Sequence, residues 1–284
     1  MAWQDYTPEQ LEWQYNPRVT VADAGAYIQR LKTLSADTLA VLTRHADIRY
    51  GPGPKETFDL YPAATAGPTP VHVFFHGGYW RAQDKTDFAF VARDLVRHGQ
   101  SVAVVNYDLC PAVTVADIVA ECSRCVSYIV NHGDDLGIDP DRLSISGHSA
   151  GGQIVAQLLV HDWGAGGLVA PIRAATAISG VFDLAPLLHT SINDAVRLDA
   201  DSARRNSPLR QAPLQTGPHL MLAVGGDETA EFHAQARRYG EHCSAAGRHV
   251  TPVSIAGCNH FSVLEALFLA SGAYFDTLLA YTCR

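Results

Sequence analysis

Strands alternating with helices along nearly the whole chain predict an α/β fold, with a mostly parallel central sheet covered by helices on both faces. Three observations carry that reading. The segments 71–75, 100–107, 143–146, 172–179, 219–224 and 249–255 are near-continuous apolar runs, as strands buried on both faces require. Between them, residues 84–98, 115–131, 153–160 and 230–246 repeat their apolar side chains at helical spacing. Turn residues punctuate the junctions, as in the Gly-Ile-Asp-Pro-Asp-Arg turn at 137–142.

Taken in order, residues 1–20 hold Trp3, Tyr6, Trp13 and Tyr15 among polar residues, an irregular start docked on the body. It serves either as one side of a pocket or as a packing arm. A helix is expected over 21–43, and Pro52-Gly-Pro54 closes this preamble, so residues 1–50 read as an amino-terminal extension. Residues 56–61 alternate like a strand, and 62–70 form a loop rich in proline, glycine and alanine. The mixed, proline-bounded stretch 186–216 reads as a small helical cap over the strand ends. A final apolar helix is expected from about 261 to 281. No low-complexity linker or internal repeat divides the chain, so 1–284 reads as a single domain.

Composition narrows the function classes. The chain has 284 residues, 47% of them hydrophobic, which is enough for a large core. A formal net charge of −8 disfavours nucleic acid or an anionic membrane as partner. The start lacks a basic region followed by an apolar run, and no stretch approaches a membrane span, so a cytoplasmic location is expected. Oligomeric state is open, and a homodimer is compatible with the chain. Cys122 and Cys125 form a C-x-x-C without a second pair at zinc-binding spacing, and the thirteen histidines show no ligand spacing. Free thiols and no metal site are expected. No G-x-G-x-x-G follows the first strand, which argues against a dinucleotide enzyme.

The chemistry centres on Gly147-His148-Ser149-Ala150-Gly151, a G-x-S-x-G between an apolar strand and an apolar helix. Such a turn strains the serine backbone and lifts its hydroxyl above the sheet, with the Ala150 amide beside it at the head of a helix. A serine hydroxyl needs a base, and the base an orienting carboxylate. Asp227 and Glu228 follow the strand at 219–224, and His260 follows the strand at 249–255. All lie at carboxyl ends of strands, on the rim that holds Ser149. His76-Gly77-Gly78 follows another strand, and its bare glycines let the Gly77 and Gly78 amides join that of Ala150 around a developing oxyanion. No cofactor is required. Tyr79, Trp80 and Phe182 fall near the same rim, as an aromatic wall for the substrate or as plain loop packing.

These residues carry a resemblance. His76-Gly-Gly-Tyr-Trp80, Gly147-His-Ser-Ala-Gly-Gly152, Ser179-Gly-Val-Phe-Asp-Leu184, Ser207-Pro208 and Asn259-His-Phe261 together resemble the kynurenine formamidase (arylformamidase) family. That family lies in the hormone-sensitive-lipase-like branch of the α/β-hydrolase fold. The likeness spans nearly the entire chain, and Tyr15-Asn16-Pro17-Arg18 is similar to bacterial members. It implies a serine hydrolase that cleaves a small ester or an aryl formamide such as N-formylkynurenine through an acyl-enzyme. Glu228-Thr-Ala-Glu231-Phe232 matches the family's acid-x-x-Glu-Phe register, which favours Glu228 over Asp227 as the acid and leaves Glu231 as a capping or surface carboxylate. A short-chain carboxylesterase without formamidase activity is the rival, and a non-catalytic binding protein on the same fold a remote one.

Overall fold

The computed structural model describes residues 3–169, 171–213 and 217–282. Its strands are β1 (His45–Arg49), β2 (Thr57–Tyr61), β3 (Thr69–Phe75), β4 (Ser101–Val105), β5 (Ile138–His148), β6 (Ile172–Ile178), β7 (His219–Gly225) and β8 (Val250–Ile255). They form one sheet in the order β1-β2-β4-β3-β5-β6-β7-β8. β1 and β2 run antiparallel to their neighbours, and every other pairing is parallel.

Alternate residues of β3 explain why its apolar run is continuous. Val71, Val73 and Phe75 join a core with the helices Val115–Asn131 and Ala150–Leu158, while Phe74 joins a second core with Phe90–Arg97 and Val263–Phe268. Each face is dry, and burying one such phenylalanine contributes about 2–3 kcal/mol. The α/β class follows from this pattern. The glycines of the serine turn then set how closely the next helix approaches. A Cβ on Gly151 would lie 2.0 Å from the Phe75 carbonyl oxygen, and one on Gly147 would lie 2.1 Å from the Gly151 oxygen.

The structure departs from the sequence reading at the margins. β1 was not expected: His45-Ala-Asp-Ile-Arg49 is mostly exposed, so backbone pairing with β2 rather than burial holds it. The irregular start contains a helix, Pro8–Tyr15, whose capping box joins Thr7 and Gln10 reciprocally. Residues 138–142, read as a turn, extend β5 instead. The expected helix over 84–98 opens as a tight 3₁₀ turn, Lys85–Phe88, before Phe90–Arg97. The terminal helix is broken into Val263–Phe268 and Phe275–Thr282, because the chain folds back until Gly272 sits against the Ala266 carbonyl. Within 186–216 lie the short helices Asn193–Val196 and Ala200–Arg205, and residues 214–216 lie outside the described residues.

Three histidines are buried on or just beyond the central strands β3 and β5. His72 is held between the hydroxyls of Ser144 and Ser146, at 2.9 and 2.7 Å, and burial pulls its pKa down to about 3. Burial lowers His76 to about 4, and lowers His148 well below the usual value. Each is neutral in the folded chain but takes a proton near pH 6.5 when unfolded. The unfolded state therefore binds more protons as pH falls, and stability should drop from pH 6.5 towards 4. Each histidine contributes a slope approaching about 1.4 kcal/mol per pH unit. Urea midpoints measured from pH 7 to 4.5 check this; a flat profile contradicts it. In the same assay Gly151→Ala should cost about 3 kcal/mol or more through overpacking. Gly25→Ala, where a Cβ meets nothing within 4 Å in the helix Ala24–Val41, should stabilise by about 0.5–1 kcal/mol.

Candidate active site

The serine turn is strained. Ser149 sits at φ 57°, ψ −115°, a region that costs an ordinary residue about 1–3 kcal/mol. Its own amide donates to the Ile178 carbonyl at 2.8 Å, and its carbonyl accepts from Gly152 at 2.9 Å. These bonds, with the two bare glycines, hold the conformation.

The acid and the histidine meet beside it. Nδ1 of His260 donates to Oε2 of Glu228 at 2.6 Å, with both side chains buried. The other oxygen, Oε1, accepts from the Gly225 amide at 2.7 Å and from the Ser179 hydroxyl. Both oxygens are thus committed, and the carboxylate cannot rotate without losing a partner. Asp227, its neighbour in sequence, is exposed, as adjacent loop side chains diverge. Beneath the pair, Nε2 of His148 donates to the His260 carbonyl at 2.8 Å, which fixes the neutral tautomer of His148 and the course of the His260 loop. Ser179 and His148 both lie inside recognisable motifs, yet nothing in those motifs says which side chain props which.

The His76-Gly77-Gly78 loop crosses directly over Ser149. A Cβ on Gly77 would lie 3.2 Å from the Ser149 Cβ, and one on Gly78, at φ 101°, would lie 2.3 Å from the Ala82 carbonyl oxygen. Tyr79 and Trp80 continue at φ 49° and 54°, so the left-handed stretch is three residues long. The loop is buttressed from below, where Tyr107 stacks on the His76 ring at 4.4 Å and donates to its carbonyl at 2.7 Å. The amides of Gly78 and Ala150 find no backbone acceptor among the described residues.

Ser149, His260, Gly78 and Tyr79 open on one cavity of about 350 Å³. Its apolar wall is built from Ile28, Leu31, Tyr79, Phe88, Phe261 and Leu264, and Arg18, Lys32 and Arg81 stand on it as well. Trp80 and Phe182 do not form this wall, which corrects the aromatic surface expected from sequence. Both are fully buried: the Trp80 indole donates to Gln153 at 3.2 Å, and Phe182 stacks on Tyr239 at 4.4 Å. No described residue of 186–213 lines the cavity; the segments 16–18 and 28–32 do. Glu231, expected as a capping or surface carboxylate, is instead buried, where it pairs with Arg238 and accepts from the Tyr15 hydroxyl. A second cleft of about 240 Å³ reaches Glu228 and His260 from beyond Pro17.

Among the described residues no cluster of three or more His, Cys, Asp or Glu side chains is placed to hold a metal ion. Cys122 and Cys125 are buried in the helix Val115–Asn131, and burial pushes both thiols far above their usual range, which suits inert core residues. Cys283 lies outside the described residues.

Known proteins share the sequence and fold of this chain. The BD-FAE family model matches residues 58–162. Kynurenine formamidases from Danio rerio and Salmo salar are 29% and 28% identical, each alignment spanning 93% of both chains. A crystal structure from Silicibacter sp., of a protein provisionally called a thioesterase, is 30% identical. It superposes with a TM-score of 0.83 over 97% of this chain and 99% of its own. An esterase from Pyrobaculum calidifontis shares the fold at 18% identity and a TM-score of 0.74. Among the described residues no helix is long and apolar enough to cross a membrane. The chain is a hydrolase of the α/β-hydrolase fold, similar over nearly its whole length to kynurenine formamidases and to esterases.

Proposed function

We propose that Ser149 is the nucleophile, His260 the base and Glu228 the acid of a serine hydrolase acting on aryl formamides of the N-formylkynurenine type. The observation that carries this is the 2.6 Å contact between His260 and Glu228, with His260 and a strained Ser149 opening on one cavity. Because Nδ1 of His260 is committed to Glu228, Nε2 is the nitrogen that takes the serine proton. The serine oxygen attacks the formyl carbon, and the amides of Gly77, Gly78 and Ala150 stabilise the resulting oxyanion; one such donor is worth about 3 kcal/mol. The C–N bond then breaks as His260 returns the proton to the departing aryl amine. Water, deprotonated by the same nitrogen, attacks the formyl-enzyme to release formate and restore Ser149.

Tyr79, Phe88 and Phe261 supply the aromatic part of the wall. Arg18, Lys32 and Arg81 face a single lining carboxylate, Asp87, in a chain whose net charge is −8. That local reversal of sign supports a substrate carrying a carboxylate away from its reacting carbonyl. Residues 1–284 act as one domain, with 1–50 as the extension that walls the site and 186–216 as a small helical cap. The enzyme works in the cytoplasm without nucleic acid or membrane partners, and a homodimer is its candidate assembly.

Ser149→Ala should lower kcat by about 10⁴-fold or more, and Glu228→Gln by about 10²- to 10⁴-fold through loss of histidine orientation. Asp227→Asn, at the surface, should stay within about threefold of the parent. A Ser149→Ala protein with full turnover would sink the proposal. The substrate is decided by kcat/KM for N-formyl-L-kynurenine against 4-nitrophenyl acetate. The formamide should win by orders of magnitude; turnover of the activated ester alone makes the protein a short-chain carboxylesterase.

A further inference from the structure

The stretch Gly78-Tyr79-Trp80 holds three successive residues at positive φ, two of them with side chains. Such a stretch persists only where surrounding contacts over-determine it. Trp80 is anchored on the helix Ala150–Leu158 through Gln153. Tyr79 is anchored elsewhere: its hydroxyl donates to the backbone carbonyl of Tyr15, the last residue of the helix Pro8–Tyr15. Burial holds both phenols protonated, so each remains a donor.

Tyr15 is itself fully buried, and its hydroxyl enters a second set of bonds. It donates to Oε2 of Glu231 at 2.8 Å and accepts from Nε2 of Gln235 at 3.0 Å. Gln235 is also fully buried, and its Oε1 accepts from the amides of Phe182 and Asp183 at 2.9 and 2.8 Å. Its Nε2 donates in addition to the Asp183 carbonyl at 3.0 Å. That loop begins at Ser179, whose hydroxyl holds Glu228. One unbroken path of hydrogen bonds and short backbone therefore runs from the loop over Ser149, through Tyr15 and Gln235, to the carboxylate on His260. The amino-terminal helix is further tied to this end of the sheet by Thr229, which donates to the Gln14 carbonyl at 2.6 Å.

We propose that Tyr15 and Gln235 are positioning residues which, through the Tyr79 hydroxyl, set the His76–Trp80 loop against the Glu228–His260 pair. The amino-terminal helix then belongs to the oxyanion apparatus and not solely to the wall of the pocket. This inference rests on the catalytic reading of Ser149, Glu228 and His260. The Tyr79 bond stands behind the backbone that aims the oxyanion amides, so its loss misplaces them without removing any group that touches the substrate.

The test is a double-mutant cycle with Tyr79→Phe, Tyr15→Phe and both together, assayed on 4-nitrophenyl acetate with thermal unfolding as the fold control. Tyr15→Phe leaves Glu231 paired with Arg238, and Gln235 still bonded to Asp183, so the chain keeps its fold. Each single variant should lower kcat by about 10- to 100-fold with KM held within about twofold, the signature of misplaced transition-state donors. The double variant should lose little more than the worse single one, since both break the same path. Additive losses in a folded protein, or losses in KM with kcat preserved, overturn the inference while leaving the catalytic reading intact. A wild-type chain that turns over neither ester nor formamide defeats the catalytic reading itself.

Discussion

The approach of Gly151 to the carbonyl of Phe75 decides how steeply the helix Ala150–Leu158 can leave β5. Everything above the sheet follows from that angle. With no side chain in the way, the helix start lies over the end of β3, and the residue between strand and helix is forced into a region that L-residues avoid. The same close approach brings the loop after β3 across Ser149, since Gly77 has to pass within a few ångströms of its Cβ. Ser149 and the Gly77-Gly78 loop are thus brought together by one close approach. Glu228 and His260 reach them on the loops that follow β7 and β8.

Charge and burial share the work of holding those loops. Beyond the oxyanion stretch, Lys85 is almost fully buried, between Asp59 at 2.8 Å on β2 and Asp47 at 2.8 Å. Burial works against the lysine charge, yet the bonds to the two aspartates outweigh it and raise the pKa. Arg44 closes the group on Asp59 at 2.7 Å. Buried pairs of this kind add little net stability over an apolar equivalent, but breaking one leaves an uncompensated charge. The network thus pins the Lys85–Phe88 turn, and Phe88 with it, to a defined place on the cavity wall. Apolar packing supplies the stability of the sheet, and polar bonds supply the register of what stands on it.

Much of this was legible in the amino-acid sequence, and the limits have physical reasons. Buried strands announce themselves because both faces demand apolar residues, whereas β1 is held by backbone pairing and shows no pattern in His45-Ala-Asp-Ile-Arg49. The reciprocal cap of Thr7 and Gln10 was available in Thr-Pro-Glu-Gln and was outweighed by the crowd of aromatics around it. Trp80 and Phe182 follow glycines at the rim, and only the left-handed turn of the first and the Tyr239 ring beneath the second decide that they point into the core. The choice of Glu228 over Asp227 came from register with a family; the structure brings Glu228 to His260 and leaves Asp227 in solvent. Glu231 could not be read at all, because the tyrosine that buries it lies 216 residues earlier.

That separation also bears on how the protein is made. The helix Pro8–Tyr15 leaves the ribosome more than 200 residues before its hydrogen-bond partners on the helix Ala230–Ala245 and before His260. Contacts so distant along the chain form late, since the entropy of closing such a loop is lost before the contact is gained. A nascent chain can assemble the strands around Ser149 while Glu228, Gln235 and His260 are still missing. The turn at Ser149 can thus form well before Glu228 and His260 reach it, and the site closes only when the segment 8–15 meets the segment 225–260.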